Sequence, residues 1–359
     1  MAADASAPPI AEVRAYAAAA GLVYVVDDAP GITRRRAGRA FVYFDADRRR
    51  VREARVLDRI RMLAIPPAYS NVWICADPRG HLQATGRDAR GRKQYRYHAK
   101  WRAMRDAGKF ERLIRFGERL PHLRRILRRD LALSGLPEAK VLAVIASLLL
   151  ETGVRVGNEE YARSNGSYGL TTLRDRHITF LREGRAVLRF RGKSGQAQEA
   201  RVDNARLVRI LRRCQQLPGQ FLFQYVDDDG ARKPVDSGMV NQYLRDAMGE
   251  EFTAKDFRTW GGTVSAIALL AKTPLPESRA ERPFKAAIAD VVRAVADRLG
   301  NTPAVCRSSY IDPRAFEAWR AGRLHRAVPP EAVRATRTFE TIALRLLRKE
   351  PALLKRRKR

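Results

Sequence analysis

Cysteine is scarce. Cys75, Cys214 and Cys306 are the only three in 359 residues, with neither the paired spacing of a zinc site nor enough partners for a disulfide framework. Long apolar runs are missing too. The longest, residues 141–150, is about half of the ~20 residues a bilayer demands, so a buried helix is expected there and no membrane partner. Residues 1–9 place Asp4 and two prolines where a secretory signal would need a basic stretch and an apolar core. Gly192-Lys193-Ser194 lacks the four residues and the preceding glycine of a phosphate loop, so no nucleotide cofactor is expected. The last shortage is of carboxylates: 39 Asp plus Glu face 70 Lys plus Arg, a formal charge of +31.

What is present is an ordinary apolar share of 45%, enough for two domains with a sizeable core in at least one. A cationic surplus this large repels itself in a compact chain unless a polyanion neutralises part of it, and nucleic acid is the natural partner. Arg far outnumbers Lys, as a biased genome would produce. Such bias exchanges Lys for Arg but does not remove Asp and Glu. A reduced, cytoplasmic setting at the nucleoid follows as the expectation.

Short β-branched or aromatic runs at 22–26, 40–44, 72–75 and 82–85 read as strands, separated by clusters such as Asp27-Asp28-Ala29-Pro30-Gly31. Residues 56–62 read as a helix stopped by Pro66-Pro67. Near Trp101 the texture changes. Residues 101–133 are helical and very basic, 138–152 form an apolar helix, and strands follow at 177–181, 186–191 and 199–202. Helices resume at 205–213, 237–248, 259–270, 283–299 and 336–347. The predicted class is α+β: a small N-terminal antiparallel sheet domain with short helices (1–101), a larger, mostly helical domain with a three-stranded sheet (102–347), and a basic tail (348–359).

Four segments stand in order along the second part. Residues 150–158, Leu-Glu-Thr-Gly-Val-Arg-Val-Gly-Asn, end an apolar helix with Arg155 just past a glycine. Residues 190–195 put Lys193 at a hairpin turn, residues 255–261 place Arg258 at a helix start, and Leu-Gly-Asn-Thr-Pro at 299–303 leads, nine positions after Asn301, to Tyr310. Singly each is commonplace: a solvated arginine, a turn, a core tyrosine. Together they are the parts of a phosphoryl transfer onto a side chain without metal or nucleotide. A tyrosine hydroxyl can form a phosphodiester that conserves bond energy. Arginine forks stay charged and bind nonbridging oxygens in pairs. A lysine whose neighbours are cations can give up its proton to a leaving oxygen.

These motifs resemble those of the poxvirus-like bacterial type IB topoisomerases, over residues 72–320. Gly91-Arg92-Lys93-Gln94-Tyr95-Arg96-Tyr97 is similar to the family segment that touches DNA from the small domain. Residues 151–173, ending Tyr168-Gly169-Leu170-Thr171-Thr172-Leu173, resemble the segment of the first catalytic arginine, and residues 255–260 that of the second. The resemblance implies that Arg155 and Arg258 grip the scissile phosphate, that Lys193 is the general acid, and that Tyr310 attacks to leave a 3′-phosphotyrosine and a free 5′-hydroxyl. It further implies no cofactor, no metal and duplex DNA as partner, with Arg92, Lys93, Gln94, Tyr95, Tyr97, Tyr161 and Lys255 as DNA contacts. Many relatives carry His where this chain has Asn301; an amide donates a hydrogen bond but cannot become a cation, so slower chemistry is expected. Nothing suggests a dimer, and two domains hinged near Trp101 would close on duplex as a clamp whose grip weakens with salt. Residues 91–97 also read as a plain sheet-edge strand, and residues 112–129 as a merely solvated basic helix.

Two other functions fit part of the pattern. Tyrosine recombinases share an Arg, Lys, Arg, Tyr order, but usually carry His three residues before the second Arg, where this chain has Lys255, and their N-terminal domains are generally helical. A basic DNA-binding protein that has lost its chemistry would not be expected to fill every catalytic position.

Overall fold

The computed structural model of the chain describes residues 10–349 except 39, 90, 92, 250, 251, 279 and 329–335; the side chains of 10–12, 103–107, 109, 111, 161, 164, 194, 336 and 337 also lie outside the description. The chain divides into two compact units, Met1–Lys109 and Phe110–Arg359.

In the first unit, helix α1 (Ile10–Ala19) precedes strands β1 (Ile32–Ala37) and β2 (Ala40–Phe44). Helix α2 (Ala54–Met62) follows, then strands β3 (Ser70–Ile74), β4 (Leu82–Arg87) and β5 (Lys93–Tyr97). Among the described residues these strands make one antiparallel sheet in the order β2-β1-β3-β4-β5. Alternate side chains share a face, so Ile32, Val72, Ile74 and Ala84 close over Ile60 of α2 in a small core. Prolines 66 and 67 have no N–H to offer the carbonyls beyond α2. The Arg34 guanidinium supplies donors instead, to the carbonyls of Ile65, Pro66 and Tyr69 at 3.2, 3.0 and 2.6 Å.

Residues 22–26, expected as a strand, form only an isolated bridge between Val23 and Gly80. The reason is local. Val23 exchanges hydrogen bonds with the β3–β4 turn, and the Val25 N–H goes to the His81 ring rather than to a neighbouring strand. Leu22 instead joins Ala17 and Trp101 in a separate cluster. The arginine-rich β1, invisible to a hydrophobicity pattern, takes the vacant place in the sheet.

Helix α3 (Ala99–Asp130) begins in the first unit and continues into the second, where α4 (Glu138–Thr152), α5 (Glu159–Asn165) and strands β6 (Ile178–Phe180), β7 (Ala186–Arg191) and β8 (Ala197–Val202) follow. Next come α6 (Ala205–Gln215), the hairpin β9 (Gln224–Val226) and β10 (Arg232–Pro234), α7 (Ser237–Met248), α8 (Ala254–Lys272) and α9 (Glu281–Leu299). The chain finishes with α10 (Pro303–Ser309), α11 (Pro313–Arg320), α12 (Arg323–Ala327) and α13 (Thr336–Lys349). Strands β6, β7 and β8 form the expected three-stranded sheet. The architecture is thus an antiparallel sheet with short helices, then a mostly helical body with a small sheet. No helix among the described residues is long and apolar enough to cross a membrane.

Helix α4 is buried almost all round, from Lys140 through Leu149, as its unbroken apolar composition demands. The basic α3 is not merely solvated. Leu113, Phe116, Leu120, Leu123 and Leu127 form a buried stripe at helical spacing, while Arg124 pairs with Glu340 and Arg112 with Asp256. Part of its charge is therefore spent on the chain's own carboxylates. Helix α8 starts five residues before the expected 259, because the Asp256 carboxylate reaches back to the Thr253 N–H at 2.8 Å and nucleates an extra turn.

Arg314 ties three helices together. It pairs with the fully buried Asp312 and donates to the carbonyls of Leu347 and Phe110 at 3.0 and 2.9 Å. Arg314→Met keeps much of the volume but strands a carboxylate in the core. A loss of about 3–5 kcal/mol is expected, read as a fall in the urea midpoint; an unchanged midpoint would refute this role.

Candidate active site

The end of α9 is the hub. Gly300 adopts φ 58° there, and the Asn301 N–H turns back to the Ala296 carbonyl at 3.0 Å. This left-handed cap satisfies the Ala296 and Asp297 carbonyls of the last turn and leaves those of Leu299 and Gly300 free to accept. Two guanidiniums take them. Arg258 donates to the Leu299 carbonyl at 2.8 Å and also to the Gly153 carbonyl. Arg155 donates to the Gly300 carbonyl from both Nη atoms at 3.3 Å, and to Asn301 Oδ1 at 2.5 Å. Two cations could not otherwise share so small a space. The partial negative charge at a helix C-terminus offsets their repulsion. Burial, then the Arg258 charge, nonetheless pulls the Arg155 guanidinium below its ordinary pKa, with Tyr310 acting in the opposite sense.

Each side chain is delivered by a recognisable local device. Helix α4 ends at Gly153 with φ 66°, where a Cβ would fall 2.8 Å from Leu299 Cδ2. The chain then passes through Arg155, whose carbonyl accepts from Leu170 N at 2.9 Å, while Val156 O accepts from Thr171 N at 2.7 Å. Gly157 and Gly169 face each other so closely that a Cβ on Gly169 would lie 2.6 Å from Gly157 Cα. The Tyr168–Leu173 part of the motif is therefore the clamp that holds the Arg155 segment.

Arg258 lies in the second turn of α8, beyond the helix start expected for it, and is only 4% exposed. Its Nε is a buried donor without a partner among the described residues. Its Cζ sits 4.9 Å over the centre of the Tyr310 ring. Tyr310 caps α10, with its N–H on the Cys306 carbonyl at 2.9 Å and its carbonyl accepting from Thr263 Oγ1 at 3.4 Å. Gly262 permits this approach, since a Cβ there would meet Tyr310 O at 2.5 Å. Cys306 is buried and its thiol is pushed up to about 11 by desolvation, which marks a packing residue rather than a nucleophile.

Lys193 is exposed, on the single helical turn Lys193–Gly195 joining β7 to β8. The structure thus brings Arg155, Arg258, Asn301 and Tyr310 together, and leaves Lys193 exposed on the β7–β8 hairpin. Gly262, Thr263 and Gln198 escaped the sequence reading. The pair Gly261-Gly262 inside a helix was the available signal, since glycine costs roughly 1 kcal/mol there and points to a close approach.

In the first unit, β5 is the edge strand of the sheet. Tyr95 is 48% exposed and stacks on Tyr97 at 6.1 Å between ring centres. Gln94 donates to Asp88 at 3.0 Å, and Lys93 Nζ lies 2.6 Å from Asp27, so a phosphate would have to compete for that ammonium. Lys255 is exposed on the first turn of α8. Arg92 and the Tyr161 side chain lie outside the described residues, as does most of the basic tail.

Comparison with known proteins agrees in both units. The family described as "Eukaryotic DNA topoisomerase I, catalytic core" matches residues 98–320, and "Bacterial DNA topoisomerase IB, N-terminal domain" matches residues 40–88. The DNA topoisomerase 1B of Acanthamoeba polyphaga mimivirus is 36% identical over 295 residues, 81% of this chain and 88% of that protein. The DNA topoisomerase 1B of Vaccinia virus (strain Copenhagen) is 25% identical over 259 residues, 69% of this chain and 75% of its own length.

Proposed function

The chain belongs to the type IB DNA topoisomerase family, and from that premise we propose that it relaxes supercoiled duplex DNA through a 3′-phosphotyrosine on Tyr310, as a monomer using neither ATP nor metal. One observation carries this reading: the Arg258 guanidinium lies over the Tyr310 ring, with Arg155 and Asn301 gathered on the same helix end.

The Tyr310 oxygen attacks phosphorus in line and its proton leaves to solvent or a basic group. The nonbridging oxygens gain charge as the five-coordinate transition state forms. Arg155 and Arg258 supply donors to them, already oriented by the carbonyls of α9, so that little reorganisation is needed during reaction. The unpartnered Nε of Arg258 is the donor that a phosphate oxygen would satisfy. Arg155 can only donate, so the oxygen end of the Asn301 amide must face it. The NH₂ end makes one long bond, to the Leu299 carbonyl at 3.4 Å, and its second N–H is left for a phosphate oxygen. Lys193 gives a proton to the departing 5′-oxygen and recovers it when the 5′-hydroxyl reseals the break. Between those events the free end swivels. The phosphotyrosine conserves the energy of the broken bond, which is why no nucleotide is spent.

On the sheet unit, Arg92, Lys93, Gln94, Tyr95 and Tyr97 would contact the duplex along the β5 edge, with Tyr161 and Lys255 contributing from the second unit. Lys255 in place of the recombinase His favours relaxation over site-specific exchange. The test is supercoiled plasmid with purified protein in EDTA, without ATP or any recombination site. A ladder of relaxed topoisomers is expected. Supercoils left intact, or products of exchange between defined sites, would overturn the proposal.

A further inference from the structure

We propose that Gln198 is a positioning residue for proton transfer to the leaving 5′-oxygen, docking the turn that carries Lys193 onto the end of α9 that holds Arg155 and Asn301. The inference rests on the function proposed above and adds a residue that the motifs do not contain.

The need for such a residue follows from Lys193 itself. A long, flexible side chain at an exposed hairpin tip visits many positions, and a proton donor helps only when held within hydrogen-bond reach of the leaving oxygen. The turn has internal bonds, Gly192 N to Gln196 O at 2.8 Å and Gly195 N to Gly192 O at 3.1 Å. These fix its shape without fixing its place against the arginines.

Gln198 provides the link. It stands on β8 opposite Phe190 of β7, and its side chain occupies two gaps where a Cβ is missing. A Cβ on Gly192 would fall 2.7 Å from Gln198 Cγ; one on Gly300 would fall 2.1 Å from Nε2 and 2.2 Å from Oε1. The first glycine immediately precedes Lys193. The second immediately precedes Asn301, and its carbonyl receives Arg155. A single side chain therefore spans the hairpin of the proposed acid and the hub of the phosphate-binding groups. The Gln198 amide is itself steadied by donating to the Ala197 carbonyl at 3.2 Å.

The two glycines differ instructively. Gly300 sits at φ 58° and favours glycine on backbone grounds alone. Gly192 has φ −88° and ψ −166°, extended geometry open to any residue. In its surroundings the Gln198 side chain is what a Cβ at Gly192 would strike first.

The experiment is single-turnover cleavage of two DNA substrates, one with the ordinary 5′-oxygen at the scissile phosphate and one with sulfur in its place. A thiolate leaves without an acid. Lys193→Ala is the reference, and should slow only the oxygen substrate. Gln198→Ala is expected to slow the oxygen substrate by roughly 10- to 100-fold, leave the sulfur substrate near the wild-type rate, and leave the melting temperature unchanged. Gly192→Ala, which fills the gap while keeping Gln198, should give the same selective loss. Combining the two should add little, because the shortened side chain vacates the space. Equal slowing on both substrates, or no slowing on either, overturns the docking role. Failure of the wild type to form any adduct, or a Lys193→Ala loss equal on both substrates, overturns the underlying reading and the proposal with it; the wild-type and Lys193→Ala arms separate that failure from failure of Gln198 alone.

Discussion

Tyr310→Phe is expected to abolish relaxation and leave no covalent DNA adduct, while binding to duplex persists in a gel-shift assay. The substitution is unusually clean in this setting. Tyr310 is held by its main chain, through Cys306 O and Thr263 Oγ1, and by its ring beneath Arg258, and phenylalanine keeps all three. Only the hydroxyl goes. A shift in stability is therefore not expected, and loss of activity reports on chemistry alone. The complementary arm traps the wild-type adduct on DNA and maps the modified peptide, which should contain residues 308–312. Relaxation by the Phe variant at the wild-type rate, or an adduct on another residue, would remove Tyr310 from the reaction.

The second large effect is expected at Arg258. Arg258→Lys keeps the charge but not the fork. The three donors of an ammonium diverge from a single atom, so it cannot span the carbonyls of Gly153 and Leu299, which the guanidinium meets with two separate nitrogens, and still present a third donor where Nε stands. Cleavage should fall by about 10²–10³-fold, the usual loss when a preorganised donor to a developing oxyanion is removed. A buried carbonyl left unmet should cost roughly 1–3 kcal/mol of stability as well. The two losses are separable, because single-turnover rates on the folded fraction read the first and urea unfolding reads the second. A variant that is destabilised yet cleaves at the wild-type rate would make Arg258 a strut between α4, α8 and α9 and nothing more.

Much of this was legible in the chain itself. The apolar run ending at Gly153 announced α4, and the basic surplus announced a polyanion. The order of Arg155, Lys193, Arg258 and Tyr310 pointed toward phosphoryl transfer onto a side chain, because few other reactions need two guanidiniums, an ammonium and a phenol together. The misreadings have physical causes. The run 22–26 has strand composition, but His81 intercepts its backbone. Strand β1 carries three consecutive arginines, and their long apolar stems hide from a hydrophobicity count. Helix α8 begins ahead of its expected start because its cap works through Asp256, an acidic residue within the Lys255–Trp260 motif.

The sequence by itself determined the inventory: which residues carry charge, which can attack, and where glycine frees the backbone. Those are properties of residue type and short spacing, which local chemistry fixes before any packing. Only the tertiary structure decided how that inventory is assembled. Arg155 meets Gly300, and Arg258 meets Gly153, across more than a hundred residues; Gln198 reaches Gly192 and Gly300 at once. The acceptors are main-chain carbonyls, identical at every residue and therefore silent in sequence. They gain meaning where a helix ends, and where α9 ends relative to α4 and α8 is set by the packed core.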